Sequence, residues 1–248
     1  MRVASPSEKE DNGDLSGSHD RAWLGCKGGI MLDEAPIVFV VDDDVSIRES
    51  LELLIRSAGW KPETYASARQ FMDCARPEVP NCLVLDVNLP DLNGLDLQKL
   101  VATERTEMPI IFVTGYGDIP TTVKAMKAGA VEFLPKPLND KTLLEAIEHA
   151  LQRSGDELSR AAEIRLLQQR HASLTQREHE VMALVVSGLL NKQIAYELGI
   201  TEITVKAHRG RVMHKMNARS LPELVGFAAK LGIDRLIQRA PAVDETGP

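Results

Sequence analysis

Four short apolar runs, each rich in β-branched residues and each leading into a polar side chain, constrain this chain more than any other feature. Residues 37–41 (IVFVV) run into Asp42 and Asp43, residues 82–85 (CLVL) into Asp86, and residues 110–113 (IIFV) into Thr114. Residues 131–134 (VEFL) are followed two positions on by Lys136. Helical pattern separates each run from the next. That alternation predicts an α/β fold, a doubly wound parallel sheet covered on both faces. In such sheets ligands bind outside the carboxyl ends of the strands, and all five special residues stand there. Three carboxylates, a hydroxyl and an ammonium are thus expected in one crevice.

Carboxylates brought together repel one another. Either one of them takes a proton, its pKa pushed up, or a divalent cation sits among them. Oxygen-only donors suit Mg²⁺, Ca²⁺ or Mn²⁺, and Mg²⁺ typically takes one or two carboxylates, several waters and a phosphate oxygen. Lys136 and Thr114 suit that phosphate as charge partner and hydrogen-bond donor. The remaining carboxylate can be a nucleophile, because Asp forms acyl phosphates. A single Asp in such a place is ordinarily a solvated loop residue or a helix cap, but five convergent residues are not explained that way. The chemistry points to a phosphoaspartate site.

Residues 36–152 resemble the receiver domain of two-component response regulators. VVDDD carries the acid pair, LVLDVNLPDLNG the acceptor segment, IIFVTGYGD the Thr strand and AGAVEFLPKPL the Lys segment. The resemblance implies a flavodoxin-like fold with five parallel strands, and roles for individual residues. Asp86 is the phosphoacceptor, Asp43 a direct ligand of Mg²⁺ and Asp42 one acting mostly through water, with the backbone carbonyl of Asn88 completing the protein ligands. Thr114 and Lys136 bind the phosphoryl oxygens. Phe133 is the switch aromatic that follows Thr114, although its bland reading is an ordinary core Phe. Pro137 is expected to be cis.

The length of 248 residues favours two domains, and an apolar fraction of 44% suffices for real cores. Cys26, Cys74 and Cys82 show neither a disulfide framework nor zinc spacing. The polar N-terminus lacks a signal-peptide core, and no apolar stretch reaches membrane-spanning length. Residues 1–34 read as a disordered extension, with Met31 read as the true start and a functional tail as the alternative. The expected order is then a receiver at 35–152, a helical linker at 153–172, a helix-turn-helix domain at 173–237 and a disordered tail at 238–248. Ser154-Gly155 is expected to break the helix between receiver and linker.

Charge divides along the same line. Residues 36–150 hold 11 Lys and Arg against 18 Asp and Glu, whereas residues 173–240 hold 10 against 6. Within 203–222, Lys206, Arg209, Arg211, Lys215 and Arg219 have no acidic residue among them. A charge run is usually a solvated helix face, but five positives without a compensating carboxylate point to a polyanion. Residues 173–237 predict four short helices, the second and third joined by a Gly-containing turn as in a helix-turn-helix. In the third helix Val205, Val212 and Met216 share the inward face. Lys206, Ala207, Gly210 and Arg211 project from the other side, towards base edges, with Lys192, Thr204, Arg209 and Lys215 as phosphate contacts. Gly210 reads equally as a weak helix position.

The stretch LTQREHEVMALVVSGLLNKQIAYELGITEITVKAHRGRVMHKM is similar to the LuxR-type helix-turn-helix of NarL/FixJ regulators, and SLPELV looks most like the FixJ branch with its StyR and TodT-like members. What the resemblance implies is a transcription regulator rather than a turnover enzyme. A sensor histidine kinase would phosphorylate Asp86, and phosphorylation would promote homodimerisation and binding to operator DNA, with RNA polymerase as a further partner. The protein would be cytoplasmic, without membrane contact. Two other readings exist. Haloacid-dehalogenase phosphatases also use an Asp nucleophile with Mg²⁺, but at the first strand and without a DNA-binding half. A DNA binder that needs no phosphorylation would leave the complete receiver site without a use.

Overall fold

The computed structural model describes residues 35–75, 78–104, 108–115 and 119–233. The extension at 1–34 with Met31 and the tail at 238–248 lie outside the described residues. Among the described residues five strands, β1 (Ile37–Val41), β2 (Lys61–Tyr65), β3 (Asn81–Asp86), β4 (Ile110–Thr114) and β5 (Glu132–Pro135), form one parallel sheet in the order β2-β1-β3-β4-β5. The order reverses between β1 and β3, so a crevice opens there at the strands' carboxyl ends.

Successive side chains of a strand face opposite ways, and the core follows that period. Ile37, Phe39 and Val41 join Phe71, Leu97 and Phe112 on one face, while Val38 and Val40 join Ile55, Ile147 and Leu151 on the other. The first face is covered by α2 (Ala68–Met72), α3 (Gly94–Glu104) and α4 (Ile119–Lys127), the second by α1 (Val45–Ser57) and α5 (Asp140–Ala172). Asp44 opens α1 by accepting from the Ser46 and Ile47 amides at 2.8 and 3.4 Å. This is the side-chain capping that leaves fewer orphan N–H groups at a helix start. A capping box at Ser67 forms in part. Ser67 accepts from the Gln70 amide, but Gln70 Oε1 reaches the Ala66 amide instead of that of Ser67.

The expected break at Ser154-Gly155 is overturned: α5 runs unbroken for 33 residues. Gly in a helix costs roughly 1 kcal/mol against Ala, and here tertiary contact opposes that cost. Ser154 is fully buried, and its Oγ accepts the Asn81 amide at the start of β3, 3.1 Å away. Gly155 faces Pro80, whose Cγ would lie 3.5 Å from an added Cβ. Both small residues therefore seat the helix on the bottom of the sheet.

The far end of α5 enters another core. Leu167 packs with Val181, Met182, Ile194, Val205, Val212, Met216 and Leu224, which come from α6 (Gln176–Val186), α7 (Asn191–Leu198), α8 (Glu202–Met216) and α9 (Leu221–Lys230). Lys230 pairs with Glu163 of α5 at 2.6 Å. Thr175, Thr201 and Ser220 cap α6, α8 and α9. Gly199, at φ 63°, ends α7 in the left-handed conformation that glycine adopts most readily, so that α8 follows after a tight turn. This is the helix-turn-helix read from the sequence. No described helix is long and apolar enough to cross a membrane.

Candidate functional site

The strand register brings the special residues level. Val41 pairs with Leu85, so Asp42 and Asp86 leave the sheet side by side, and Asp86 itself pairs with Val113 just before Thr114. Thr114 pairs with Pro135, which puts Lys136 next to it, and the Lys136 amide donates to the Thr114 carbonyl at 2.8 Å. Carboxylate oxygens of Asp42, Asp43 and Asp86 lie within 4.8 Å of one another. Lys136 Nζ donates to Asp42 Oδ2 at 2.7 Å and to Asp86 Oδ2 at 2.6 Å, so that one ammonium bridges two carboxylates from different strands. Asp42, Asp86 and Thr114 are buried, and Asp43 is exposed.

Local backbone orients the acids. Asp42 Oδ1 accepts the Asp44 amide at 2.9 Å and Asp86 Oδ1 the Asn88 amide at 3.0 Å. Burial pushes the Asp42 carboxyl upward despite the hydrogen bonds from Lys136 and Asp44. Burial also works against the Lys136 ammonium, but hydrogen bonds to Asp42 and Asp86 outweigh it and hold the Lys136 pKa above its ordinary value. Among the described residues, one ammonium among three carboxylates leaves negative charge uncompensated, and every ligand atom these three side chains offer a cation is oxygen. The cluster therefore fits a hard divalent cation of the Mg²⁺ type.

Phe133 is half-buried against the first core, its ring centroid 6.1 Å from that of Phe112. The Lys136–Pro137 bond is cis, as expected. Two residues escaped the sequence reading. Arg48, in the first turns of α1, donates to the Asp42 carbonyl at 2.7 Å. Gly94, the first residue of α3, leaves its Cβ position 2.5 Å from the Asp86 carbonyl oxygen and 3.0 Å from Val87 Cα. An Asn-Gly pair marks a turn in any sequence, but does not reveal that the helix start presses on the backbone of Asp86. Asp91, on the loop between them, accepts the Ala68 and Arg69 amides at 3.2 and 2.9 Å and ties that loop to α2.

The second candidate surface is α8. Val205, Val212 and Met216 are buried, as read from the sequence, while Lys206, Ala207, Gly210 and Arg211 are exposed on the other side, and Lys192 is exposed on α7. The residues assigned to phosphate contacts are not equally available. Thr204 shares a 2.9 Å hydrogen bond with the Thr201 hydroxyl, and Arg209 donates to Asn191 Oδ1 at 3.1 Å. Lys215 differs most from expectation, because its ammonium binds Glu178 Oε2 at 2.6 Å and the Ser173 carbonyl at 3.0 Å. The Lys215 hydrogen bond, aided by the Thr175 amide, lowers the Glu178 pKa to about 2. Lys215 thus braces α8 against α6. Sequence could not reveal this, since Glu178 reads as half of a capping box, which it also is.

Comparison with known proteins agrees with this geometry. The response regulator receiver domain family matches residues 38–148, and the family described as bacterial regulatory proteins, luxR family, matches residues 172–228. Nodulation protein W of Bradyrhizobium diazoefficiens is 48% identical over 211 residues, covering 85% of this chain and 93% of that protein. The transcriptional regulatory protein FixJ of Azorhizobium caulinodans is 41% identical over 215 residues, covering 87% and 99%. Among solved structures the response regulator StyR is similar at 49% identity and a TM-score of 0.72, covering 79% of this chain and 100% of that one. With a receiver site at the switch point of its sheet and a helix-turn-helix beyond a long helix, the chain belongs to the NarL/FixJ-type response regulators, transcription regulators controlled through phosphorylation of the receiver.

Proposed function

We propose that Asp86 is the phosphoacceptor, that Asp42, Asp43 and the Asn88 backbone carbonyl join it in holding Mg²⁺, and that Thr114 and Lys136 receive the phosphoryl oxygens. The observation that carries this reading is the Lys136 bridge to Asp42 and Asp86, at 2.7 and 2.6 Å, at the mouth of the sheet. A sensor histidine kinase presents a phosphohistidine. A carboxylate oxygen of Asp86 forms the new O–P bond as the P–N bond to the imidazole breaks and the electron pair stays on the ring nitrogen. Bound Mg²⁺ supplies charge compensation for the transferring group. Lys136 exchanges its bond to Asp86 for one to a phosphoryl oxygen, and the Thr114 hydroxyl donates to another. Phe133, packed on Phe112 beside Thr114, follows inward.

That movement repacks α4 and β5, which favours one of two packings. Ile119, Val123 and Met126 stand exposed on α4 at 80, 43 and 42%, and their spacing puts them on one side of the helix. An apolar stripe of this kind suits a homodimer formed on phosphorylation, which would present two α8 helices to a two-fold operator. Lys206, Ala207, Gly210 and Arg211 read base edges, and Lys192, Thr204 and Arg209 contact phosphates; Lys215 acts mainly as the strut to Glu178. RNA polymerase is the downstream partner and the cytoplasm the compartment. Residues 35–152 serve as receiver, 153–172 as linker and 173–237 as DNA-binding domain, between terminal segments 1–34 and 238–248. Asp86→Asn tests the core of the reading, because an amide is a poor nucleophile. Intact-mass analysis after acetyl phosphate treatment should show no phosphorylated Asp86→Asn protein, and undiminished labelling would move the acceptor elsewhere.

A further inference from the structure

Among the described residues Ile203 has no packing role inside its own domain. It stands at the second position of α8, is 79% exposed and takes no part in the core that Val205, Val212 and Met216 build. Helix formation does not call for it either, since a β-branched residue is only a middling helix former and the Thr201 cap is already in place. Its position is informative. Lys206, Ala207 and Gly210 follow at i+3, i+4 and i+7, so Ile203 heads the same exposed stripe. At the other end of that stripe an added Cβ on Gly210 would meet nothing within 4 Å, so the domain itself does not require a glycine there. From its N-terminal end the stripe presents a branched hydrocarbon, a lysine with a small methyl, and bare backbone.

A helix that approaches a groove closely would use such a surface, and the N-terminal residues of a recognition helix are those that meet base edges. An isoleucine offers neither donor nor acceptor. On unmodified bases the apolar group of the major groove is the thymine C5-methyl. We infer that Ile203 is a specificity-determining residue, which packs on a thymine methyl under the first turn of α8 in each half-site. This deepens the DNA-reading role proposed for α8 and rests on it. The continuity of the stripe with Lys206 and Arg211 favours DNA over a protein as the occupant.

The test uses the full chain, phosphorylated with acetyl phosphate, and duplexes selected by it from a random pool. Each thymine of the selected duplex is replaced singly by deoxyuridine, which removes only the methyl. The wild type should lose about three- to four-fold in affinity at one thymine per half-site, the worth of one buried methyl, and roughly ten-fold when both half-sites are changed. Ile203→Ser should bind with the same salt dependence but no longer distinguish deoxyuridine from thymidine at that position, while Ile203→Val keeps part of the discrimination. Wild-type indifference to deoxyuridine everywhere, or full discrimination in Ile203→Ser, overturns the inference. So does an Ile203→Ser protein that reads DNA unchanged yet fails to activate transcription, because the residue would then face a protein. If the wild type selects no duplex at all, the assignment of α8 as the DNA reader falls first.

Discussion

Replacing Gly94 by alanine should damage the phosphorylation site although the new side chain is a single methyl. The added Cβ would stand 2.5 Å from the Asp86 carbonyl oxygen and 3.0 Å from Val87 Cα. Both obstacles are backbone, so no rotamer relieves them. Either the start of α3 or the Asp86–Val87 peptide has to retreat by roughly 0.5–1 Å to restore van der Waals distance. Overpacking of that kind costs about 1–3 kcal/mol, against which Ala returns at most about 1 kcal/mol of helix propensity. A net loss of about 1–2 kcal/mol should lower the receiver's melting transition by roughly 4–8 °C. A shift of that size at Asp86 also misplaces the nucleophile, so labelling by acetyl phosphate should slow by about ten-fold or more. Gly210 gives the opposite case. Its added Cβ meets nothing within 4 Å, so Gly210→Ala should stabilise α8 by about 0.5–1 kcal/mol while weakening DNA binding. Calorimetry of the full chain and time-resolved intact-mass labelling measure both variants. A Gly94→Ala protein that melts at or above the wild-type temperature and labels at the wild-type rate would refute the steric argument.

Two further outcomes concern the remaining joints. Ser154→Ala should cost about 1–3 kcal/mol in denaturant unfolding, because the buried Asn81 amide, now 3.1 Å from Ser154 Oγ, loses its acceptor; an unchanged midpoint would show that the small residue, not its hydroxyl, seats α5. Glu178 should make the C-terminal helices acid-sensitive. Its pKa lies at about 2 in the fold against an ordinary 4.5, so its contribution is fully present above pH 4.5 and is lost as pH falls towards 2. Glu178→Gln should therefore flatten that loss in a pH series of thermal melts, and an equally steep decline would place the acid sensitivity on other groups.

Some of this was legible because local chemistry and global fold agree. The runs ending at Asp42, Asp86 and Thr114 became β1, β3 and β4, since a strand buried on both faces must be apolar throughout. β2 escaped notice for the converse reason. Lys61–Tyr65 (KPETY) lies at the sheet edge, pairs on one side with β1 and is only partly buried, so it carries no apolar run. A cap such as Thr175 is legible in sequence because capping is decided within four residues. The break at Ser154-Gly155 was misread because both residues are poor helix formers locally, and the Asn81 amide and Pro80 that favour helix there come from elsewhere in the chain.

Sequence by itself determined the alternation of strand and helix, the line of five polar residues at the strand ends, and the two faces of α8. Each depends on periodicity or on the chemistry of neighbouring residues. Tertiary structure alone decided that Lys136 bridges Asp42 and Asp86, that Gly94 presses on the Asp86 backbone, that α5 continues unbroken, and that Lys215 turns inward to Glu178. Except for Gly94 against Asp86, these contacts join residues far apart along the chain. A hydrogen bond of 2.6–3.1 Å or a steric limit of one methyl is set by the register of strands and the seating of helices, which no local pattern encodes.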